Sequence, residues 1–111
     1  HAAVAAELLG DTALVAGVMR DLETSGLDEK HKVLFRLIDR VNHDSPRMQP
    51  DDFAPARAAG WSDGELYFAI TVCALFNFYN RWIDATGVHA LSDEAHREGG
   101  RRSAASGYVR E

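Results

Sequence analysis

Ser62-Asp63-Gly64-Glu65, followed by LYFAITVCALFNFYNRWIDATG over residues 66–87, decides the fold. The first four residues spell a capping box: the Ser62 hydroxyl accepts from the Glu65 backbone N–H while the Glu65 carboxylate reaches back to the Ser62 N–H. From Leu66 the pattern predicts a helix to about Ala85, with Gly87 beyond its end. From Leu66 to Phe76 this helix is apolar nearly all round, which predicts burial on every side and a central place in an α-helical bundle. After Phe76 it changes character. Asn77, Asn80, Arg81 and Asp84 recur at i, i+3, i+4 and i+7, a polar stripe on a helix whose other faces carry Phe78, Tyr79, Trp82 and Ile83.

Working outward, the remaining segments are also helical. Ala2 to Leu9 ends at Gly10, a residue suited to a left-handed cap. Asp11 caps a second helix from Thr12 to about Glu23, with Leu14, Val15, Val18, Met19 and Leu22 on one face, and Gly26 closes it. Asp28 and Glu29 open a third, with Leu34, Leu37, Ile38 and Val41 at helical spacing and Lys30, Lys32, Arg36, Asp39 and Arg40 opposite. Asn42 to Pro50 reads as a turn. A short helix from Asp51 or Asp52 to Ala59 follows, with Phe53 inward and Pro55 in its first turn. Ser92 caps a last helix through Glu94, His96 and Arg97. Continuation past Gly99-Gly100 toward Ala105 costs roughly 2 kcal/mol in propensity and requires tertiary packing. Ser106 to Glu111 frays unless Tyr108 docks. With no convincing strand, the expectation is an all-α chain of five to six helices forming one domain over residues 1–111.

Composition narrows the function classes. The 111 residues are 46% hydrophobic and 26% charged, as expected for one globular domain. The formal charge of −5 argues against a nucleic-acid binder, and Arg101-Arg102 is too short a basic cluster to reverse it. The apolar run from Leu66 to Phe76 is far shorter than the ~20 residues a membrane span needs. Ala2 to Leu9 has no basic start and contains Glu7, unlike a signal peptide. One cysteine excludes an internal disulfide framework and fits a cytoplasmic location.

Individual residues are read first by their structural roles. Cys73, between Val72 and Ala74, reads as a small buried core residue, since desolvation keeps a thiol inert. Asp28-x-x-His31 and Asp93-x-x-His96 have a spacing that dinuclear metal sites use, but both aspartates stand at helix starts, where capping and the helix dipole account for them. His43 and His89 fall in expected loops, so no metal or cofactor site is expected. Arg81 pairs most simply with Asp84, or with Asp39 across the bundle, and each polar group left unsatisfied on burial costs ~1–3 kcal/mol. The functional alternative is that Asn77, Asn80, Arg81 and Asp84 line a cleft or a subunit contact. No Gly-rich phosphate loop, G-x-S-x-G or H-E-x-x-H is present.

His1-Ala2-Ala3-Val4, Leu8-Leu9-Gly10-Asp11, Val33-Leu34-Phe35-Arg36-Leu37-Ile38, Ala58-Ala59-Gly60-Trp61-Ser62-Asp63-Gly64-Glu65-Leu66, Phe76-Asn77-Phe78-Tyr79-Asn80-Arg81-Trp82 and Asp84-Ala85-Thr86-Gly87-Val88 follow one another in an order that resembles the peroxidase-related branch of the AhpD-like, carboxymuconolactone decarboxylase family. The resemblance covers nearly the whole chain. It implies an all-α fold in homo-oligomers and a thiol-dependent peroxidase. In such an enzyme a Cys-x-x-Cys pair, followed by three residues and a histidine, reduces a peroxide and is itself reduced by a thiol donor. His1 matches that histidine, the proton relay, which puts the cysteine pair just before it. These 111 residues contain no such pair, and Cys73 is no substitute. The resemblance therefore implies the scaffold of such an oxidoreductase without its sulfurs. Relatives without the cysteine pair, acting as assembly modules or as acid–base decarboxylases, are the alternative. Physical reasoning also points to self-association: an apolar helix that the remaining short helices cannot cover leaves a patch of several hundred Å², a usual mark of a partner surface.

Overall fold

The capping box forms as its residues dictate. In the computed structural model, which describes residues 1–108, the Ser62 hydroxyl accepts from the Glu65 N–H at 3.3 Å, and the Glu65 carboxylate accepts from the Ser62 N–H at 2.7 Å. The helix they start runs from Asp63 to Thr86 and ends on Gly87 at φ 71°. Five more α-helices accompany it among the described residues, which contain no strand: α1 (Ala2–Leu9), α2 (Thr12–Arg20), α3 (Glu29–Asp44), α4 (Ala54–Ala58), the capped helix α5 (Asp63–Thr86) and α6 (Asp93–Ser106). Two 3₁₀ turns, Ser45–Arg47 and Pro50–Phe53, lead from α3 into α4. The architecture is all-α.

The chain forms two compact units, one of His1–Leu27 with His89–Glu111, the other of Asp28–Val88. In the first, α1 packs on α6. Their approach is so close that a Cβ on Gly100 would lie 2.7 Å from the Ala3 Cβ and 3.0 Å from its carbonyl carbon. This contact is the tertiary packing that carries α6 through its two glycines. Val4 is buried in the same unit. The second helix stops at Arg20 rather than near Glu23. Asp21 is extended there, and its carboxylate accepts from the Glu23 N–H at 3.0 Å and the Thr24 hydroxyl at 2.8 Å, a side-chain turn that outcompetes the helix. Tyr108 docks, its hydroxyl 2.9 Å from His1 Nδ1; the expectation of fraying at residues 109–111 lies outside the described residues.

In the second unit the core is Leu37 of α3, Ala56 of α4 and Leu66 of α5, with Val33, Leu34, Met48, Phe53 and Trp61 packed against it. The Trp61 indole N–H donates to the Lys30 carbonyl at 2.9 Å, tying the loop before α5 to the start of α3. The Lys30 ammonium lies 4.5 Å from the Trp61 ring centre and the His31 ring meets it edge-on at 5.3 Å. Arg40 binds Asp52 at 2.6 Å and fixes the second 3₁₀ turn to α3. The third helix outlasts the expected turn at Asn42 and reaches Asp44. His43 is therefore helical, not in a loop, and its Nδ1 lies 2.9 Å from the Asp39 carbonyl oxygen one turn back. The chain leaves the α conformation where Pro46 removes a backbone donor.

One expectation about α5 is corrected outright. Leu66 is buried, but Tyr67 is 75% exposed and Phe68 70%, and Leu75, Phe78, Tyr79 and Trp82 are exposed as well. Within its own unit α5 is covered along one side and bare along the other. Only four hydrophobic side chains are buried among the described residues, Val4, Leu37, Ala56 and Leu66, too few to enclose a helix of 24 residues.

Candidate functional site

The side of α5 next to α3 forms a cleft. Its volume is about 630 Å³, within the range of small-molecule sites, and its wall is almost wholly apolar: Leu34, Phe35 and Ile38 from α3, and Phe68, Val72 and Phe76 from α5. Asn42, Asn77 and Asn80 line it at one end, and Glu65 lines it near the start of α5. The Asn77 amide donates to Asn42 Oδ1 at 2.6 Å, a polar contact that fastens α5 to α3, and to the Cys73 carbonyl at 3.1 Å. Its own Oδ1 accepts from Arg81 Nη1 at 2.6 Å, and its backbone oxygen from the same nitrogen at 3.0 Å.

The polar stripe thus divides. Asn77 and Asn80 line the cleft, whereas Arg81 and Asp84 do not. The expected pairing of Arg81 with Asp84 or Asp39 is not formed: Arg81 turns back one helical turn onto Asn77, and Asp39 binds His43 at 3.1 Å. Burial was the premise of that pairing, and it fails here. Asn80, Arg81 and Asp84 are exposed, so water satisfies what a buried guanidinium would have needed from a carboxylate. Cys73 is half-buried and lines the cleft instead of sitting in a closed core, with the Asn77 amide nitrogen 3.7 Å from its sulfur.

His1 lies in the other unit. Its imidazole borders a small pocket of about 160 Å³ with Val4, His96, Gly100, Ser103 and Tyr108. Nδ1 is 2.9 Å from the Tyr108 hydroxyl, and the two rings lie 5.6 Å apart at 37°. An imidazole hydrogen-bonded to a phenol has its ring orientation fixed. His96, set aside in the sequence because capping accounts for the Asp93-x-x-His96 spacing, shares this pocket. Sequence reasoning missed that grouping because His1 and His96 are far apart in the chain and meet only through the α1–α6 packing.

The remaining candidates have structural roles. Asp28 caps α3 through the His31 N–H at 3.0 Å and also meets His31 Nδ1 at 2.7 Å. These bonds, the backbone one foremost, hold its carboxyl below the usual range. Glu65 is held low in the same way by the Ser62 hydroxyl and then by the Ser62 N–H. Among the described residues no three His, Cys, Asp or Glu side chains stand together as a metal-binding group. No helix there is long and apolar enough to cross a membrane. No protein-family model matches the chain, and neither a curated protein nor a solved structure matches it.

Proposed function

We propose that this chain is the helical scaffold and proton-relay part of a thiol-dependent, alkylhydroperoxidase-like oxidoreductase that works as a homo-oligomer in the cytoplasm. The observation that carries the reading is the His1–Tyr108 hydrogen bond beside a small pocket, which keeps in place the imidazole that the sequence resemblance makes the relay. The redox sulfurs belong, on this reading, to a Cys-x-x-Cys segment outside these residues. Its first thiolate attacks the peroxide O–O bond and releases an alcohol, leaving a sulfenic acid. The second thiol condenses with that acid to a disulfide and water, and a thiol reductant restores the pair. His1 would accept and return the proton in transit.

The experiment is turnover of an organic hydroperoxide with dithiothreitol as reductant. The 111-residue chain should show none. A longer product of the same gene that carries Cys-x-x-Cys before His1 should turn over, and its rate should fall about 10²-fold or more in His1→Gln, a typical loss for a general acid–base group. Turnover by the 111-residue chain itself, or a longer product with the cysteine pair and no activity, overturns the reading. The second reading, a cysteine-less relative that serves as an assembly module or a decarboxylase-type enzyme, draws on the bare aromatic side of α5. Codons upstream of His1 that encode no cysteine pair would favour it.

A further inference from the structure

The bare side of α5 has a regular spacing. Phe68, Val72, Leu75, Tyr79, Trp82 and Thr86 follow one another at intervals of 4, 3, 4, 3 and 4 residues, the spacing of a coiled-coil seam, and all six are exposed. Tyr67 and Phe78 flank the seam. At about 100° per residue, every large apolar exposed residue from Tyr67 to Ile83 falls within a single arc of roughly 160°. Arg81, the charged residue of that stretch, and Asp84 just beyond it fall outside this arc.

We infer that this seam is where two copies of the chain join, α5 against α5, in antiparallel orientation. The inference rests on the assembly part of the reading above and names its surface; it does not depend on the redox part. Area argues for a second copy. At about 200 Å² for a fully exposed aromatic side chain, Tyr67, Phe68, Phe78, Tyr79 and Trp82 together present roughly 600 Å². Val72, Leu75 and Ile83 bring this near the ~800 Å² per partner of a stable interface. An uncharged, evenly spaced seam is also self-complementary, as a two-fold contact requires.

Orientation follows from shape and charge. Antiparallel packing about the level of Asn77 sets Leu75 against the partner's Tyr79, Val72 against the partner's Trp82 and Phe68 against the partner's Thr86, a large side chain facing a smaller one each time. Parallel packing stacks Trp82 on the partner's Trp82 and brings the acidic first turns, Asp63 and Glu65, beside their copies. Antiparallel packing separates those acids and opposes the helix dipoles. The partner helix also roofs the α3–α5 cleft, since Phe68 and Val72 belong to both surfaces.

Sedimentation velocity on the 111-residue chain from 1 to 100 µM is the test, with Leu75→Glu as the variant. Leu75 is exposed, so the variant should keep its helical circular dichroism while its dimer dissociation constant rises at least 100-fold. With a spin label on Thr86→Cys in a Cys73→Ser background, antiparallel packing separates the two labelled positions by about 27 Å along the axis, nine residues on each side of the level of Asn77. A wild-type monomer at 100 µM overturns both this inference and the assembly reading. A wild-type oligomer that Leu75→Glu leaves intact overturns the seam alone, and labels side by side overturn the antiparallel arrangement.

Discussion

Gly99 and Gly100 are adjacent in α6, yet alanine at the two positions should move stability in opposite directions. Neither glycine has a positive φ, so alanine fits the backbone at both, and each substitution gains about 0.8–1 kcal/mol of helix propensity. At Gly99 a new Cβ meets nothing within 4 Å, so the gain stands alone and Gly99→Ala should stabilise by nearly that amount. At Gly100 the new Cβ lies 2.7 Å from the Ala3 Cβ, 3.0 Å from the Ala3 carbonyl carbon and 3.2 Å from its oxygen. Two of those atoms are backbone, so no rotamer change relieves the clash and α1 must shift as a body. Overpacking of this kind costs about 1–3 kcal/mol, with the upper part of that range expected where backbone is the obstacle. Gly100→Ala should therefore destabilise by about 1–2 kcal/mol net of the propensity gain, and the two neighbours should differ by about 2–3 kcal/mol. At roughly 4–8 °C per kcal/mol for a chain of this size, their melting temperatures should lie at least ~8 °C apart. Urea unfolding by circular dichroism, with amide exchange in α1 as the local readout, decides it. Equal shifts, or stabilisation by Gly100→Ala, would refute the claim that close α1–α6 contact carries the helix through its glycines.

Substitutions at two positions test the second unit. Ser62→Ala removes the hydroxyl cap of α5 and should lower stability by about 1 kcal/mol, whereas Ser62→Asp should retain most of it. The same change bears on pH. The Ser62 hydroxyl is the main cause of the low Glu65 pKa, so the ionised carboxylate favours the folded state above the unfolded-state pKa, and this contribution is lost as pH falls through the lower folded value. A carboxyl NMR titration should find the Glu65 midpoint below the ordinary glutamate range in the wild type and higher in Ser62→Ala; identical midpoints would contradict the assignment. Trp61→Phe deletes the indole donor to the Lys30 carbonyl and should cost about 1 kcal/mol in urea unfolding, with no loss if that hydrogen bond is not made in solution.

Helix starts were legible because each depends on a few adjacent residues. Asp11, Asp28, Ser62 and Ser92 each accept from the N–H three residues on, at 2.7–3.3 Å. Helix ends were harder. Gly10 and Gly87 take the left-handed conformation that a terminal glycine signals. The second helix, by contrast, ends at Arg20 on side-chain competition that apolar spacing does not register, and the third runs past the expected turn to Asp44, just before Pro46. Leu22 continues the apolar pattern of α2, but the Asp21 carboxylate draws the backbone into a turn before the pattern is used. Asn42, His43 and Asp44 have weak helix propensity, and α3 holds them through the His43 bond to the Asp39 carbonyl, a contact visible only once the helix exists.

The site was less legible than the fold for a related reason. Periodicity says which residues share a face of α5 but not what lies across from it. The same apolar run that predicts burial on every side is covered by Leu37 and its neighbours along one side only, and the described residues bury few other hydrophobic side chains. A helix nearly uniform in hydrophobicity has no polar face to mark its solvent side, so enclosure by its own chain and enclosure by a copy read identically in sequence. The stripe illustrates the converse. Asn77, Asn80, Arg81 and Asp84 share a spacing, but Asn77 alone crosses to α3, because its amide meets Asn42 across the helix pair. Arg81 then folds onto Asn77 rather than onto a carboxylate. One residue of four fixes the helix pair, and the geometry that selects it is the Asn42–Asn77 register, which i, i+3, i+4 counting on a single helix does not contain.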